Sequence, residues 1–323
     1  MTNSTRAVLG FFFMLMLFPH ILSAQLYTEQ EVTFKSGENN ISGTLILPIN
    51  AEIGGVPVLV YMGGIDEWGG FYEQRALFIE ENLEAVFPAL GIGVFYYDPR
   101  GTGKSEGQWG RAKLQDFADD AMAAVDFLSQ QANVDPERIG VLGHGEDGMV
   151  AQYIATTAPQ KVKFIASLAG PVFDYEMQLI NQYHSEYICN GEKNGVAREK
   201  AVQKAQSHQN WVSVLPIIKR WRHMKMKQEY DPAEQLQRID IPALFVFAEN
   251  DGNIYPSWSI EKLSSIFQND LPQNFTVYTI AGANQYFHLV ESCFKYDQRS
   301  EGVGLNSSFR FKEVLREWVF ENI

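Results

Sequence analysis

Cysteine is scarce in this sequence: Cys189 and Cys293 are the whole supply, too few for a disulfide framework. Two readings of the pair are open, one bond closing a long loop or two buried free thiols. Basic charge is also short. The 26 Lys and Arg stand against 39 Asp and Glu, a net charge of −13, which excludes general nucleic-acid or anionic-membrane binding through a cationic face. No His-Glu-x-x-His run occurs, and no Cys or His spacing matches a metal site; no metal and no cofactor is expected. Internal repeats and low-complexity stretches are missing. The apolar run at residues 7–18 falls short of the roughly 20 residues that span a bilayer. What is present, 46% hydrophobic and 13% aromatic residues over 323 positions, excludes a disordered or collagen-like chain and suffices for a large core.

The run at 7–18 follows a single positive charge, Arg6, and residues 1–24 contain no acid. Pro19 and His20 break it, and Leu22-Ser23-Ala24 ends in a small residue. This order predicts a signal peptide over residues 1–24, cleaved between Ala24 and Gln25. The expectation is export to the periplasm or the cell exterior, with no stable membrane anchor.

After that segment, residues 31–34 and 41–47 alternate apolar and polar positions around Gly37-Glu38-Asn39-Asn40, the pattern of a hairpin. The pattern then changes. Short continuous apolar runs at 58–62, 92–97, 138–142 and 162–168 predict strands, and helical spacing predicts helices at 71–82, 114–131 and 149–157. In 114–131, Phe117, Ala121, Ala124 and Leu128 fall on one face. The alternation lapses over residues 173–231, a polar-rich helical stretch read as a cap inserted over the sheet. It resumes with strands at 243–247 and 275–280 and helices at 258–267 and 309–320. Continuous apolar strands alternating with helices predict an α/β fold, a mostly parallel sheet covered on both faces.

Ligands of such sheets bind beyond the carboxyl ends of the strands. Three strand ends carry notable residues: Gly143-His144-Gly145-Glu146-Asp147-Gly148 before a helix, Ala248-Glu249-Asn250-Asp251-Gly252, and Ala281-Gly282-Ala283-Asn284-Gln285-Tyr286-Phe287-His288. A tight strand-to-helix turn, an acidic loop and a third loop, in that order, resemble the α/β-hydrolase superfamily. The chain is most similar to its esterase and serine-aminopeptidase-like group, whose nucleophile elbow reads Gly-His-Ser-Glu-Gly-Gly. Tyr97-Asp98-Pro99-Arg100-Gly101-Thr102-Gly103-Lys104-Ser105 resembles that group's Asp-x-Arg-Gly-x-Gly-x-Ser turn, and Leu168-Ala169-Gly170-Pro171 and Ile241-Pro242 also match. The resemblance extends over about residues 41–320 and implies an α/β-hydrolase fold with a helical cap.

For activity the resemblance implies a loss. Gly145 occupies the position of the serine nucleophile, Gln285 that of the histidine, and Asp147 that of an elbow glycine; the acid alone persists, as Asp251. A glycine has no atom with which to attack a carbonyl. A glutamine amide cannot serve as a general base near neutral pH. The oxyanion donors of the family are backbone N–H groups, expected here from Glu146 and from Gly64 and Ile65. The expectation is a non-catalytic homologue of serine ester and peptide hydrolases, with a cleft still able to hold a small molecule or peptide. The alternative is an active ester, thioester or peptide hydrolase with a carboxylate nucleophile, Glu146 or Asp147; His288, three residues after Gln285, is a separate substitute base that would still have no nucleophile to activate.

The remaining motifs have plainer readings. Glu146 and Asp147 read as favourable charges at a helix start, His144 as a packing residue, and His288 as a surface histidine of its loop or a following helix. Gly103-Lys104-Ser105 lacks the first glycine of a phosphate loop and the helix after it. Within the cap, Val214, Ile217, Ile218, Trp221 and Met224 make an apolar stripe beside Lys219, Arg220, Arg222, Lys225 and Lys227. That basic stretch reads as a solvated helix face or as a contact for an anionic partner.

Overall fold

The computed structural model describes residues 27–51, 55–64, 73–214, 231–290 and 306–323. The expected signal segment, Ile65, Cys293, the basic stretch at 219–227 and most of the apolar stripe of the cap lie outside the described residues.

The hairpin forms. Strand β1 (Tyr27–Ser36) pairs antiparallel with β2 (Asn39–Pro48), Phe34 opposite Ile41. Six further strands follow in chain order: β3 (Val56–Met62), β4 (Gly93–Tyr97), β5 (Val134–His144), β6 (Phe164–Leu168), β7 (Ala243–Ala248) and β8 (Phe275–Ile280). They make one sheet in the order β1-β2-β4-β3-β5-β6-β7-β8. β2 meets β4 antiparallel, and every later neighbour is parallel.

The reason the strands are apolar without interruption is visible in their two faces. On β3, Val58, Val60 and Met62 enter one core and Leu59 and Tyr61 the other; on β7, Phe245 and Phe247 oppose Leu244 and Val246 in the same way. Successive side chains point to opposite faces, so a strand covered on both sides must be apolar at every position. Helices α2 (Leu114–Leu128) and α3 (Asp147–Thr157) cover the first face with Ala121, Ala124, Leu128, Val150 and Ile154. Helix α1 (Glu73–Ile79) covers the second with Phe78, whose ring stacks 5.3 Å from that of Tyr61.

Between β6 and β7 the described chain holds helices only: α4 (Tyr175–Cys189), α5 (Asn194–Val214) and the short α6 (Pro232–Leu236). Asp174 starts α4 by accepting a bond from the Met177 N–H, the expected role of an acid at that position. Cys189, at the far end of α4, is disulfide-bonded; of the two readings left open, the bond is the one observed. α7 (Pro256–Ile266) and α8 (Phe309–Asn322) complete the layers; α8 adds Phe311, Leu315 and Trp318 to the second face.

Several boundaries differ from expectation by a few residues, and two of the differences have a local cause. The helix expected at 71–82 is α-helical only to Ile79 and then widens into a π-turn over Glu80–Glu84. The strand expected at 138–142 runs from Val134 to His144, with a register shift against β3 between Val56 and Val58. A bulge of this kind hides the strand start from a search for uninterrupted apolar residues.

The Asp-x-Arg-Gly turn after β4 is a structural clasp. Arg100 donates through Nε and Nη2 to the fully buried Asp120 of α2, at 2.8 and 2.7 Å, and through Nη1 to Asp116 at 2.9 Å. Ser105 Oγ accepts the Ser42 N–H, tying the same turn to β2. Removing one member of a buried pair strands the other charge, at about 3–5 kcal/mol. We expect Arg100→Leu to lower the unfolding free energy in urea by about that amount. The double variant Arg100→Leu/Asp120→Leu should lose clearly less; losses that simply add would contradict the pairing.

Candidate functional site

The register of the parallel strands brings five loops to one edge. Met62 lies opposite Gly143, His144 opposite Leu168, Leu168 opposite Val246, and Ala248 opposite Ile280. The loops leaving these ends are then stitched together by main-chain bonds. The Gly145 N–H donates to the Leu168 carbonyl (2.8 Å), Ala169 N–H to Val246 (2.7 Å), and Asn250 N–H to Ala283 (2.8 Å).

Gly145 stands at the tip of the turn between β5 and α3 with φ +61°. Its left-handed backbone favours glycine, and the turn is tight enough that a Cβ on Gly143 would lie 2.0 Å from the Asp147 carbonyl oxygen. A Cβ built on Gly145 meets one atom within 4 Å, Nε2 of Gln285, at 3.3 Å. The structure therefore brings Gly145 and Gln285 together, side by side at one edge of the sheet.

The acid is reached indirectly. Gln285 Oε1 accepts a short hydrogen bond from Asn253 Nδ2, and the Asn253 N–H donates to Asp251 Oδ1 at 2.7 Å. The Ile254 N–H adds a second bond to the same oxygen, at 3.0 Å. Asp251 is 5% exposed, and its other oxygen, Oδ2, has no hydrogen-bond partner among the described residues. Burial raises its pKa to about 7, against the pull of the two N–H bonds. Its second oxygen thus lacks, among the described residues, the donor that would help to keep the carboxyl group ionised.

The substitute groups are arranged as follows. Glu146 is exposed at the start of α3, and Asp147 is the first residue of that helix, the positions where acids are favoured by the helix dipole. His144 is buried, with Nε2–H donating to the Gln285 carbonyl (2.8 Å) and Nδ1 accepting from the Tyr61 hydroxyl (3.0 Å). Burial holds its pKa down to about 4, so it is neutral and fully engaged. His288 corrects the expectation of a surface histidine: it is fully buried, and its Nε2 lies 3.8 Å from Glu81 of the π-turn. The cause is the path of the loop. Phe287 takes φ +59° and stacks its ring 3.9 Å from Phe311, while His288 bridges to Ser307, which folds the segment inward under α8. Burial also lowers the His288 pKa.

On the oxyanion side, Gly64 is held in place through its neighbour. The buried Arg75 of α1 donates to the Gly63 carbonyl at 3.0 Å and to the Tyr97 carbonyl at 2.9 Å, joining the ends of β3 and β4. Ile65, the other donor expected there, lies outside the described residues. Among the described residues no group of three or more His, Cys, Asp or Glu is arranged to hold a metal.

A model of the serine aminopeptidase S33 family matches residues 77–278, more than half of the chain. The chain belongs to that family, within the α/β-hydrolases. The matched residues include the Gly145 turn and the Asp251 loop, and Gln285 lies beyond them. Among curated proteins, the thiohydrolase AneE of Aspergillus aculeatus is 30% identical over 156 residues, 46% of this chain and 45% of its own length. The chain thus spans under half of that relative. Of solved structures, the esterase Est1E of Butyrivibrio proteoclasticus, with ferulic acid bound, superposes with a TM-score of 0.57 at 15% identity, covering 90% of this chain and 98% of that one. An acetyl xylan esterase from Paenibacillus sp. R4 gives 0.58 at 14% identity, with 93% and 86% covered. At such identities these show the S33 chain's fold alone.

Two residues that matter here escape a motif search. Asn253 follows the acid by two positions, and only the turn-forming run Asp251-Gly252-Asn253 marks it. Arg75 has no motif; a lone arginine in an apolar helix was the available sign.

The raised Asp251 pKa has a testable sign. A carboxyl group harder to ionise when folded than when unfolded leaves stability intact below about pH 4 and erodes it as pH rises towards about 7. Asp251→Asn keeps both accepted N–H bonds and removes the charge. Urea midpoints should coincide for the two proteins near pH 4, and the variant should lead by on the order of a few kcal/mol near pH 8. An equal gap at both ends of that range would show that Asp251 is ionised at little cost.

Proposed function

We propose that this S33 family member is an exported, non-catalytic homologue of serine ester and peptide hydrolases that retains the ligand cleft. The observation that carries this reading is the contact between Gly145 and the Gln285 amide, 3.3 Å from where a nucleophile's Cβ would stand. The elbow backbone persists there without an attacking atom, and the neighbouring side chain is an amide in place of a base. Neither nearby histidine repairs this. Both nitrogens of His144 are engaged, and His288 is buried beside Glu81.

A carboxylate nucleophile at Glu146 or Asp147 would need a base of the same kind to activate water for the second step, so the geometry favours binding over turnover. Two observations support export: the signal-like order of residues 1–24 and the disulfide at Cys189, which persists in oxidising compartments. Among the described residues no helix is long and apolar enough to cross a membrane.

The test is turnover of p-nitrophenyl esters and aminoacyl amides. The natural sequence should give no more than the roughly 10³–10⁴-fold over water that a site without its triad retains. Gly145→Ser combined with Gln285→His, with Asp147→Gly added in a third arm, should recover measurable hydrolysis, since the backbone at Gly145 already has the elbow conformation. Turnover at ordinary enzyme rates by the natural sequence, abolished by Asp251→Ala, would overturn the proposal.

A further inference from the structure

Helix α4 crosses the site edge between two fixed points. Near its start, Gln178 Nε2 donates to the sulfur of Met149 on α3, the helix that leaves the Gly145 turn, at 3.3 Å. One and a half turns later, the ring of His184 stacks on Trp258 (4.5 Å) and meets Tyr255 edge-on (4.9 Å), at the start of α7 and directly after the Asp251 loop. Residues 178, 181 and 185 share one side of a helix, with 184 adjoining. The opposite side, with Tyr183 and Tyr187, is taken up by α5, whose Lys204 lies over both rings. The side bearing Asn181, His184 and Ser185 is therefore the one away from Tyr183 and Tyr187, flanked by Met149 of α3 and by Tyr255 and Trp258 at the start of α7.

That side is polar, buried and unpaired. Asn181 and His184 are 0% exposed and Ser185 3%. Among the described residues no partner reaches either amide atom of Asn181, the Ser185 hydroxyl, or His184 Nδ1. The other ring nitrogen of His184 is spoken for by Asn194 Oδ1 at 2.8 Å. Buried amides and hydroxyls are otherwise bonded almost without exception, so three adjacent orphans on one helix face mark groups kept for a ligand at a cost in stability.

We infer that Asn181, His184 and Ser185 form a hydrogen-bonding wall of the ligand cleft, and that it receives an uncharged ligand carrying hydroxyl or amide groups. The inference rests on the retained cleft proposed above and names what the cleft accepts. Asn181 presents one donor group and one acceptor, Ser185 both in one atom, and His184 a ring nitrogen. The three are themselves without formal charge, and the guanidinium of Arg198 nearby is stacked over the Trp258 ring at 4.9 Å. A hydroxyl or an amide supplies the matching acceptor and donor together, whereas a carboxylate supplies acceptors only.

The test uses the full chain and ligand-observed NMR titration with three probes: N-acetyl-trialanine amide, the neutral trisaccharide maltotriose, and acetate. At least one neutral probe should bind and acetate should not; which neutral probe binds tells an amide ligand from a polyol. Asn181→Leu and, separately, Ser185→Ala should weaken that probe by about tenfold while melting at or above the temperature of the parent, because an orphan polar group is replaced by an apolar one. Absence of binding by both neutral probes, equal binding of acetate, unchanged affinity in both variants, or a large fall in melting temperature on Asn181→Leu would each overturn the inference. Its failure is separable from that of the preceding proposal: an inert protein whose affinity ignores Asn181 refutes the wall alone, and a hydrolytic protein whose probe affinity falls in Asn181→Leu refutes only the loss of catalysis.

Discussion

The turn between β5 and α3 is the constraint on which the rest of the site depends. Gly145 holds a left-handed backbone with its N–H tied to the Leu168 carbonyl, and the absence of a side chain on Gly143 lets the helix start within contact of the strand end. Given that turn, the parallel register delivers the acid loop and the Gln285 loop to the same edge. The frame of a hydrolase elbow is thus a property of the backbone, and it persists independently of the atoms that perform hydrolysis. Fold and chemistry are separate layers, and a backbone frame of this kind carries no reaction by itself.

With no imidazole to receive, Asp251 keeps two backbone bonds on one oxygen and leaves the other alone, and burial pushes its proton affinity up into the neutral range. Asn253 donates instead to the Gln285 amide oxygen. A carboxyl group whose burial makes it harder to ionise shows why identity at a motif position is a weak guide to its role.

Much of the architecture was legible in the sequence because each strand buried on both faces must be apolar throughout, and α2 shows its face through Phe117, Ala121, Ala124 and Leu128. The pairing of Gly145 with Gln285 was legible through the order of loops. What the sequence hid were tertiary facts. His288 reads as a polar loop residue, and only the φ of Phe287 and the stack on Phe311 explain its burial. Asn181, His184 and Ser185 lie on a helix whose apolar side, Tyr175, Leu179 and Ile180, packs on α5, so a periodicity search assigns the three polar residues to the solvent face although they are buried. Arg75 acts on main-chain carbonyls, and Asn253 joins Asp251 through its N–H and Gln285 through its side chain, contacts that leave no motif.

The bond from His144 to the Gln285 carbonyl has a consequence for how such a site can drift. Residue 285 is anchored by its own main chain to a core histidine, itself pinned by Tyr61, so the loop does not owe its location to whatever side chain emerges there. The position behaves as a socket: its occupant can be exchanged and the replacement will project into the same space. A lineage with such a socket can discard a catalytic group in one step without unfolding anything, and for the same reason can take it back.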